Sequence, residues 1–440
     1  MIIRFLYLSF FIFLTLSSAR AQGVYDLKYC INTGLERNFS ILIEKNSESI
    51  AKNNYTLGNA GFLPAVDITS GHNGTVKDIN QKITSGGQNV YHDSYNSTSY
   101  ASVSLDMTVF KGFNAVITYK KLNELKEVGE LNTQMTIENL VADIVSSYYN
   151  YILQIQLFKN LEYAVALSKE RLRIDEDRYL LGSSSKLQVL QSRVYLNADS
   201  SKLSRQTEIV RSAQITLNEL MAVDDLGTQF SSKDTLINIG SNLLYEKILD
   251  ETLAGNTSLL IASRNKTISE YDYRLIVSRS YPYLNFSTGY DFYKYTYSNS
   301  NYSSQNTNGM NYGLTFGINL FDGNNQRRSI RNSSIEIDKK ELMYREIEQG
   351  VKADLLKIYN SYNNNLRLIR LEEQNLQTAT ENLDIALERY KLGSLSGIDL
   401  REVQKSLLDA RESLLSVQYQ AKLAEISLQL ISGKIMEYYQ

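Results

Sequence analysis

The six residues Arg178-Tyr179-Leu180-Leu181-Gly182-Ser183 return 211 positions later as Arg389-Tyr390-Lys391-Leu392-Gly393-Ser394. A long helical pattern leads into each copy and another leads out. Each copy therefore reads as the turn of a helical hairpin, with glycine where a helix ends.

The incoming pattern is the longer one. From Asn114 to Tyr179 there is no proline and almost no glycine. Ile137, Val141, Ile144, Tyr148, Tyr151, Ile155 and Phe158 alternate steps of four and three, the seam of a coiled coil. At about 1.5 Å per residue such a helix runs on the order of 100 Å. A second helix is expected from about Leu187 to Leu220.

Further out, helical spacing runs from Tyr25 to about Ala60 and ends before Leu63-Pro64. Strands are expected at about 63–71 and 100–110. The second is the cleanest alternation in the chain, with Ala101, Val103, Leu105, Met107 and Val109 against Ser102, Ser104, Asp106 and Thr108. Between them, residues 72–98 read as a solvated loop holding both histidines, His72 and His92. The same order follows in the second half, with strands at about 283–292 and 312–321 and a loop from Tyr295 to Met310.

The register of this duplication is regular. Leu35, Asn38, Ile41, Pro64 and Gly71 match Leu253, Asn256, Leu259, Pro282 and Gly289, all 218 apart. Phe110, Gly112, Ile144, Tyr148, Tyr151 and Gly182 match Phe321, Gly323, Leu355, Tyr359, Tyr362 and Gly393, all 211 apart. The change of seven falls between the strands, where an insertion costs least. The expected organisation is a first structural repeat at 22–221, a linker at 222–243 and a second repeat at 244–440.

Residues 1–21 read as a secretory signal: Arg4, an apolar run from Phe5 to Leu16, then Ala19-Arg20-Ala21. The run is too short to span a bilayer as a helix. Without it the charge is 44 minus 48, or −4, which offers nothing to nucleic acid. Cys30, the single cysteine, reads as a small, partly buried residue rather than a reactive thiol. Two prolines suit long helices, and there are 32 tyrosines but no tryptophan.

Four strands of roughly ten residues, apolar on one face and polar on the other, suit a tilted crossing of a bilayer. Four cannot close a membrane barrel, and an open edge is excluded from lipid. The chain must then oligomerise. Tyr281, Tyr283, Tyr290, Phe292, Tyr293 and Tyr312, expected near strand ends, suit an interfacial aromatic girdle. The contrary reading is a secreted helical tether with two incidental hairpins.

The doubled order of helix, strand, loop, strand, long helix, turn and helix resembles the TolC-type outer-membrane efflux family over essentially the whole chain after the signal. Leu63-Pro64 and Tyr281-Pro282 at the strand starts, Phe-x-Gly at 110–112 and 321–323, and the two Arg-Tyr-x-Leu-Gly-Ser turns carry the likeness. The resemblance implies a mixed α and β membrane protein. A long α-helical coiled-coil barrel would join a transmembrane β-barrel completed by a homotrimer, four strands per chain, in the bacterial outer membrane with the helical part in the periplasm. It implies two partners, a periplasmic adaptor and an inner-membrane transporter, and a passive exit channel for efflux or type I secretion. A structural or adhesive outer-membrane protein acting through surface loops is the alternative. One departure concerns the family's Asn-Pro early in each half, which is Asn38-Phe39 and Asn256-Thr257 here.

Catalysis, cofactors and metals find no support. Two histidines and one cysteine make no zinc set, and no phosphate-cradling loop is present. Gly393-Ser394-Leu395-Ser396-Gly397 has leucine where a nucleophile elbow needs serine. In the resembling family, acids six and nine positions after the second turn glycine line the periplasmic aperture, and these are Asp399 and Glu402 here. The first turn has Gln188 and Gln191 instead. The bland alternative is a pair of acids favoured by the helix dipole. The turns themselves, through Arg178, Tyr179, Gly182, Ser183, Arg389, Tyr390, Gly393 and Ser394, are the adaptor-docking candidates.

Overall fold

The computed structural model describes residues 23–240, 243–300 and 302–439, so the expected signal lies outside the described residues. In chain order they form β1 (Gly23–Tyr25), α1 (Leu27–Arg37), α2 (Phe39–Asn54), β2 (Ala65–Lys82), β3 (Gln88–Lys111), α3 (Asn114–Leu180), α4 (Lys186–Leu220) and β4 (Phe230–Ser232). Then follow α5 (Tyr245–Gly255), α6 (Thr257–Ser278), β5 (Tyr283–Tyr297), β6 (Ser304–Gly317), α7 (Asn325–Lys391), α8 (Gly397–Ile431) and α9 (Ile435–Tyr439). No described helix is long and apolar enough to cross a membrane.

Two compact units result, one built from the described residues up to Lys45 with Thr133–Leu259 and Ile347 onward, the other from Asn46–Asn132 and Leu260–Glu346.

The second unit holds an antiparallel sheet of order β2-β3-β5-β6. Its pairing puts Ile68 beside Val103, Val103 beside Tyr290 and Tyr290 beside Met310. Because side chains alternate, one face carries Val66 and Ile68, Leu105 and Met107, Phe286 and Phe292, Leu314 and Phe316 across all four strands. The other carries Asp67, Ser102, Ser104, Asp291, Asn311 and Thr315. The apolar face is open to solvent in the single chain, with Ile68 78% and Leu314 67% exposed.

Two expected loops are corrected here. Most of 72–98 is strand: β2 continues to Lys82 and β3 begins at Gln88, leaving a turn at 83–87. His72 and His92 therefore sit on strands. This ribbon lies past the apolar band, so neither face needs apolar residues. Backbone pairing and scattered β-formers such as Thr75, Val76, Val90 and Tyr95 hold it. The signal overlooked was Gly86-Gly87 between two such runs. Likewise β5 continues to Tyr297 and β6 begins at Ser304, but β6 ends at Gly317, short of the expected 321. Tyr290, Phe292, Tyr293 and Tyr312 thus lie inside strands, not near their ends, and Tyr283 and Tyr293 are on the polar face, where a lipid-facing girdle does not belong.

The helix expected from Tyr25 to Ala60 is two, broken at Asn38. Asn38 stops α1 with its N–H on the Gly34 carbonyl, and its Oδ1 accepts from the Ser40 N–H at 2.9 Å to start α2. Its Nδ2 also donates to Leu220 O at 2.9 Å, where α4 ends. Asn256 does the same between α5 and α6, accepting from Leu259 N at 3.1 Å and donating to Ile431 O at 2.9 Å. The missing proline is explained: Phe39 and Thr257 take the first helical position, which proline suits but does not require.

In the first unit the expected seam packs into a core of Cys30, Ile41, Val141, Ile144, Tyr148, Tyr151 and Leu217. Its tyrosines also do something the heptad did not suggest. Tyr151 Oη donates to Phe230 O at 2.9 Å, Tyr148 Oη to Asp234 at 2.7 Å and Tyr359 Oη to Leu243 O at 3.1 Å. Tyr362 Oη reaches Gly240 O. The segment expected as a linker is thus pinned by hydroxyls at the tips of buried rings. It adds β4, parallel to β1, and buries Phe230.

Candidate functional site

Both hairpin turns close in the same way. Gly182 N donates to Tyr179 O at 3.1 Å and Ser183 N to Arg178 O at 2.9 Å; Gly393 N donates to Tyr390 O at 3.0 Å and Ser394 N to Arg389 O at 2.9 Å. These paired bonds over a left-handed residue are the Schellman motif. Gly182 and Gly393 supply it, with φ of 72° and 81°. Each serine hydroxyl adds a bond to the same arginine carbonyl at 3.1 Å. The glycine and the serine of the six-residue motif are therefore accounted for by stopping a helix.

The following helices start alike. Ser185 Oγ accepts from Gln188 N at 3.4 Å, and Ser396 Oγ from Asp399 N at 3.1 Å. Ser396 also donates to Asp399 Oδ2 at 2.7 Å. Ser396 thus caps the helix, and the Asp399 carboxylate holds the capping hydroxyl while remaining exposed. Glu402, one turn on, is exposed as well.

The copies part company in their side chains. Tyr390 is 2% exposed, whereas Tyr179 is 46% exposed. Arg178 crosses to the other turn: its guanidinium lies 4.9 Å from the Tyr390 ring centroid and donates to the Tyr390 and Lys391 carbonyls. Tyr390 Oη donates to Asp175, which also accepts from Ser192 Oγ and faces Arg171 at 3.9 Å. Burial first, then the Asp175 carboxylate, pushes the Tyr390 phenol up to about 12.

A second buried carboxylate lies further along. Arg401 grips Asp199 through two bonds of 2.7 Å, and Ser168 Oγ donates to it at 2.5 Å. The Tyr195 ring sits under both cations, 4.9 Å from Arg171 and 5.1 Å from Arg401. Ser168, Arg171, Asp175 and Arg178 occupy one face of α3 at helical spacing, and Ser192, Tyr195 and Asp199 one face of α4. Tyr390 of α7 and Arg401 of α8 complete the lock. Around it pack Leu383, Leu400 and Leu407, with Ile174 and Leu167.

Of the residues expected from sequence, Arg178 and Tyr390 are brought together. Tyr179, Arg389 and the two serines stay on the exposed side of the turns, beside Leu180, Leu181 and Leu392, each 82% exposed. Sequence reading missed Asp175, Asp199, Arg171 and Arg401. A signal existed: 211 positions on, Asp175 and Asp199 have Ala386 and Ala410 as counterparts, so an acidic side chain stands where the other repeat buries an alanine.

The family described as outer membrane efflux protein matches residues 30–223 and 248–434. The chain belongs to this outer membrane efflux protein family. It is 24% identical to the outer membrane protein TolC of Vibrio cholerae over 449 aligned positions, covering 96% of this chain and 93% of that protein. In fold it is similar to the Campylobacter jejuni CmeC outer membrane channel, with a TM-score of 0.77, 15% identity and coverage of 93% and 86%. Vibrio cholerae VceC, an outer membrane protein, follows with 0.72, 14%, and 92% and 96%. The protein is thus a bacterial outer-membrane, TolC-like efflux protein whose helical part lies in the periplasm, and its family is one of channels rather than of enzymes.

Proposed function

We propose that three copies of this chain form a passive exit duct through the outer membrane, the last part of a tripartite efflux or type I secretion system. The observation that carries the reading is the four-stranded sheet, with an apolar band across one face of all four strands and two edges, β2 and β6, that pair with no other described strand. In lipid such edges need partners, and three chains of four strands give a closed barrel with its apolar face outward and its polar face around water.

The turns support the same assembly. Residues 22–221 and 244–440 act as two structural repeats joined by 222–243, so a ring of three chains contains six similar hairpins. Arg389 and Tyr179 are the exposed counterparts of Arg178 and Tyr390, and we read them as making the same contact between protomers. Asp399 and Glu402 then form rings of carboxylates at the periplasmic aperture, favouring cations. The exposed leucines beside Gly182 and Gly393 meet a periplasmic adaptor, which couples the duct to an inner-membrane transporter.

The polar ribbon formed by residues 74–97 supports a second reading, recognition at the cell surface. The two are separated by heat-modifiable trimers in outer-membrane fractions, by their conductance in planar bilayers and by cargo retention in a deletion strain. Trimers that conduct, with cargo retained on deletion, are expected. A protein that neither conducts nor affects export sinks the duct.

A further inference from the structure

We propose that the polar face of the sheet carries a docking track for organic cations, flat or quaternary, made by Asp291 with the rings of Tyr100, Tyr293, Tyr295 and Tyr297. The inference rests on the exit-duct reading, in which this face lines water.

Strand alternation places Asp291, Tyr293, Tyr295 and Tyr297 on one face of β5, and pairing sets Ser102 opposite Asp291 and Tyr100 opposite Tyr293 on β3. The rings run in sequence. Tyr100 and Tyr293 have centroids 6.0 Å apart, Tyr293 and Tyr295 5.8 Å at 12°, Tyr295 and Tyr297 6.2 Å at 8°. Parallel rings at such spacing are not in full face contact, so part of each electron-rich face stays open to a cation. None of these four tyrosines, Tyr293 included, can serve the girdle, since a girdle belongs on the lipid face.

The charge at the start of the run fits. Asp291 is held by Ser102 Oγ and Asn311 Nδ2, each at 2.5 Å, so its carboxylate is fixed in place before any cargo arrives. Opposite it stands Gly309, where an added Cβ would meet nothing within 4 Å, leaving the carboxylate uncovered. Asp67 and Asp106 share the face, while of its lysines Lys77 pairs with Ser94 on the outer ribbon and Lys111 with Tyr283 at the start of β5. Cations are favoured and anions are not. A run of weak, repeated contacts suits a conduit, because cargo held at a single strong site would not leave.

Single-channel recording on the full-length trimer tests this, with benzyltrimethylammonium added on the exterior side and benzenesulfonate as the anionic control. The cation is expected to block and the anion not. Y293L/Y295L should weaken the block about five-fold and Y293F/Y295F should stay within about two-fold, because phenylalanine keeps the ring face. D291N should weaken it too. Equal block in the leucine variant, loss in the phenylalanine variant or block by the anion overturns the track while leaving the duct intact. A trimer that passes no current removes the duct reading and the track with it.

Discussion

Arg178 and Tyr390 sit 212 residues apart and share two contacts, the guanidinium over the ring at 4.9 Å and an Nη2 hydrogen bond to the tyrosine's own carbonyl. One hairpin turn thereby holds the helix end of the other. A helical end that opens by separating the hairpins has to break this pair and the Tyr390–Asp175 bond beneath it.

Tyr390→Phe should therefore loosen the junction. Losing a hydroxyl that serves a buried carboxylate costs about 1–2 kcal/mol, read as a lower unfolding temperature and a larger bilayer conductance. The pH dependence has a definite sign. The folded phenol is held at about 12, above its ordinary 10, so its stabilisation is complete below pH 10 and lost as pH rises through 12. Tyr390→Phe should show a smaller alkaline loss of stability than wild type, the remainder coming from groups such as Tyr362, which burial also pushes up to about 12.

Gly393→Trp puts a side chain on a backbone with φ of 81°, at a cost of about 1–2 kcal/mol. Export should fail while trimers persist on native gels. Disappearance of the trimer would leave the turn a purely structural role.

Asp399→Asn with Glu402→Gln keeps side-chain size and a group able to accept from Ser396, yet removes charge. The potassium-to-chloride permeability ratio and block by divalent cations should both fall. Unchanged values would reduce Asp399 to a partner of the Ser396 helix cap.

Cys30 is fully buried, and burial, with Asp26 adding to it, pushes the thiol up to about 12. At pH 8 roughly one thiol in ten thousand is ionised, so a thiol reagent should label it only after denaturant is added. Rapid labelling of the native protein would contradict this packing.

The long helices were legible because nothing between Asn114 and Leu180 breaks them and their seam repeats in sevenths. The strand halves that carry the apolar band were legible for a related reason, since a sheet with one apolar face must alternate. The outer halves were not, because water on both faces imposes no alternation, and only Gly86-Gly87 marked the turn. Asn38 and Asn256 looked like an incomplete motif because the carbonyls that complete it, of Leu220 and Ile431, are 182 and 175 residues away. The Tyr390 lock was hidden in the same way: Tyr179 has the same local sequence, and what differs is the partner, a carboxylate 215 residues earlier.

The unpaired edges of β2 and β6 bear on the history of the molecule as well as its assembly. They span 18 and 14 residues beside an uncovered apolar face, a template on which stray strands add and fibres begin. A newly exported chain that finished this sheet alone in water would be a seed for aggregation. On the exit-duct proposal, its survival requires that the sheet form late, against lipid and two sister chains, or under the cover of an escort that releases it there.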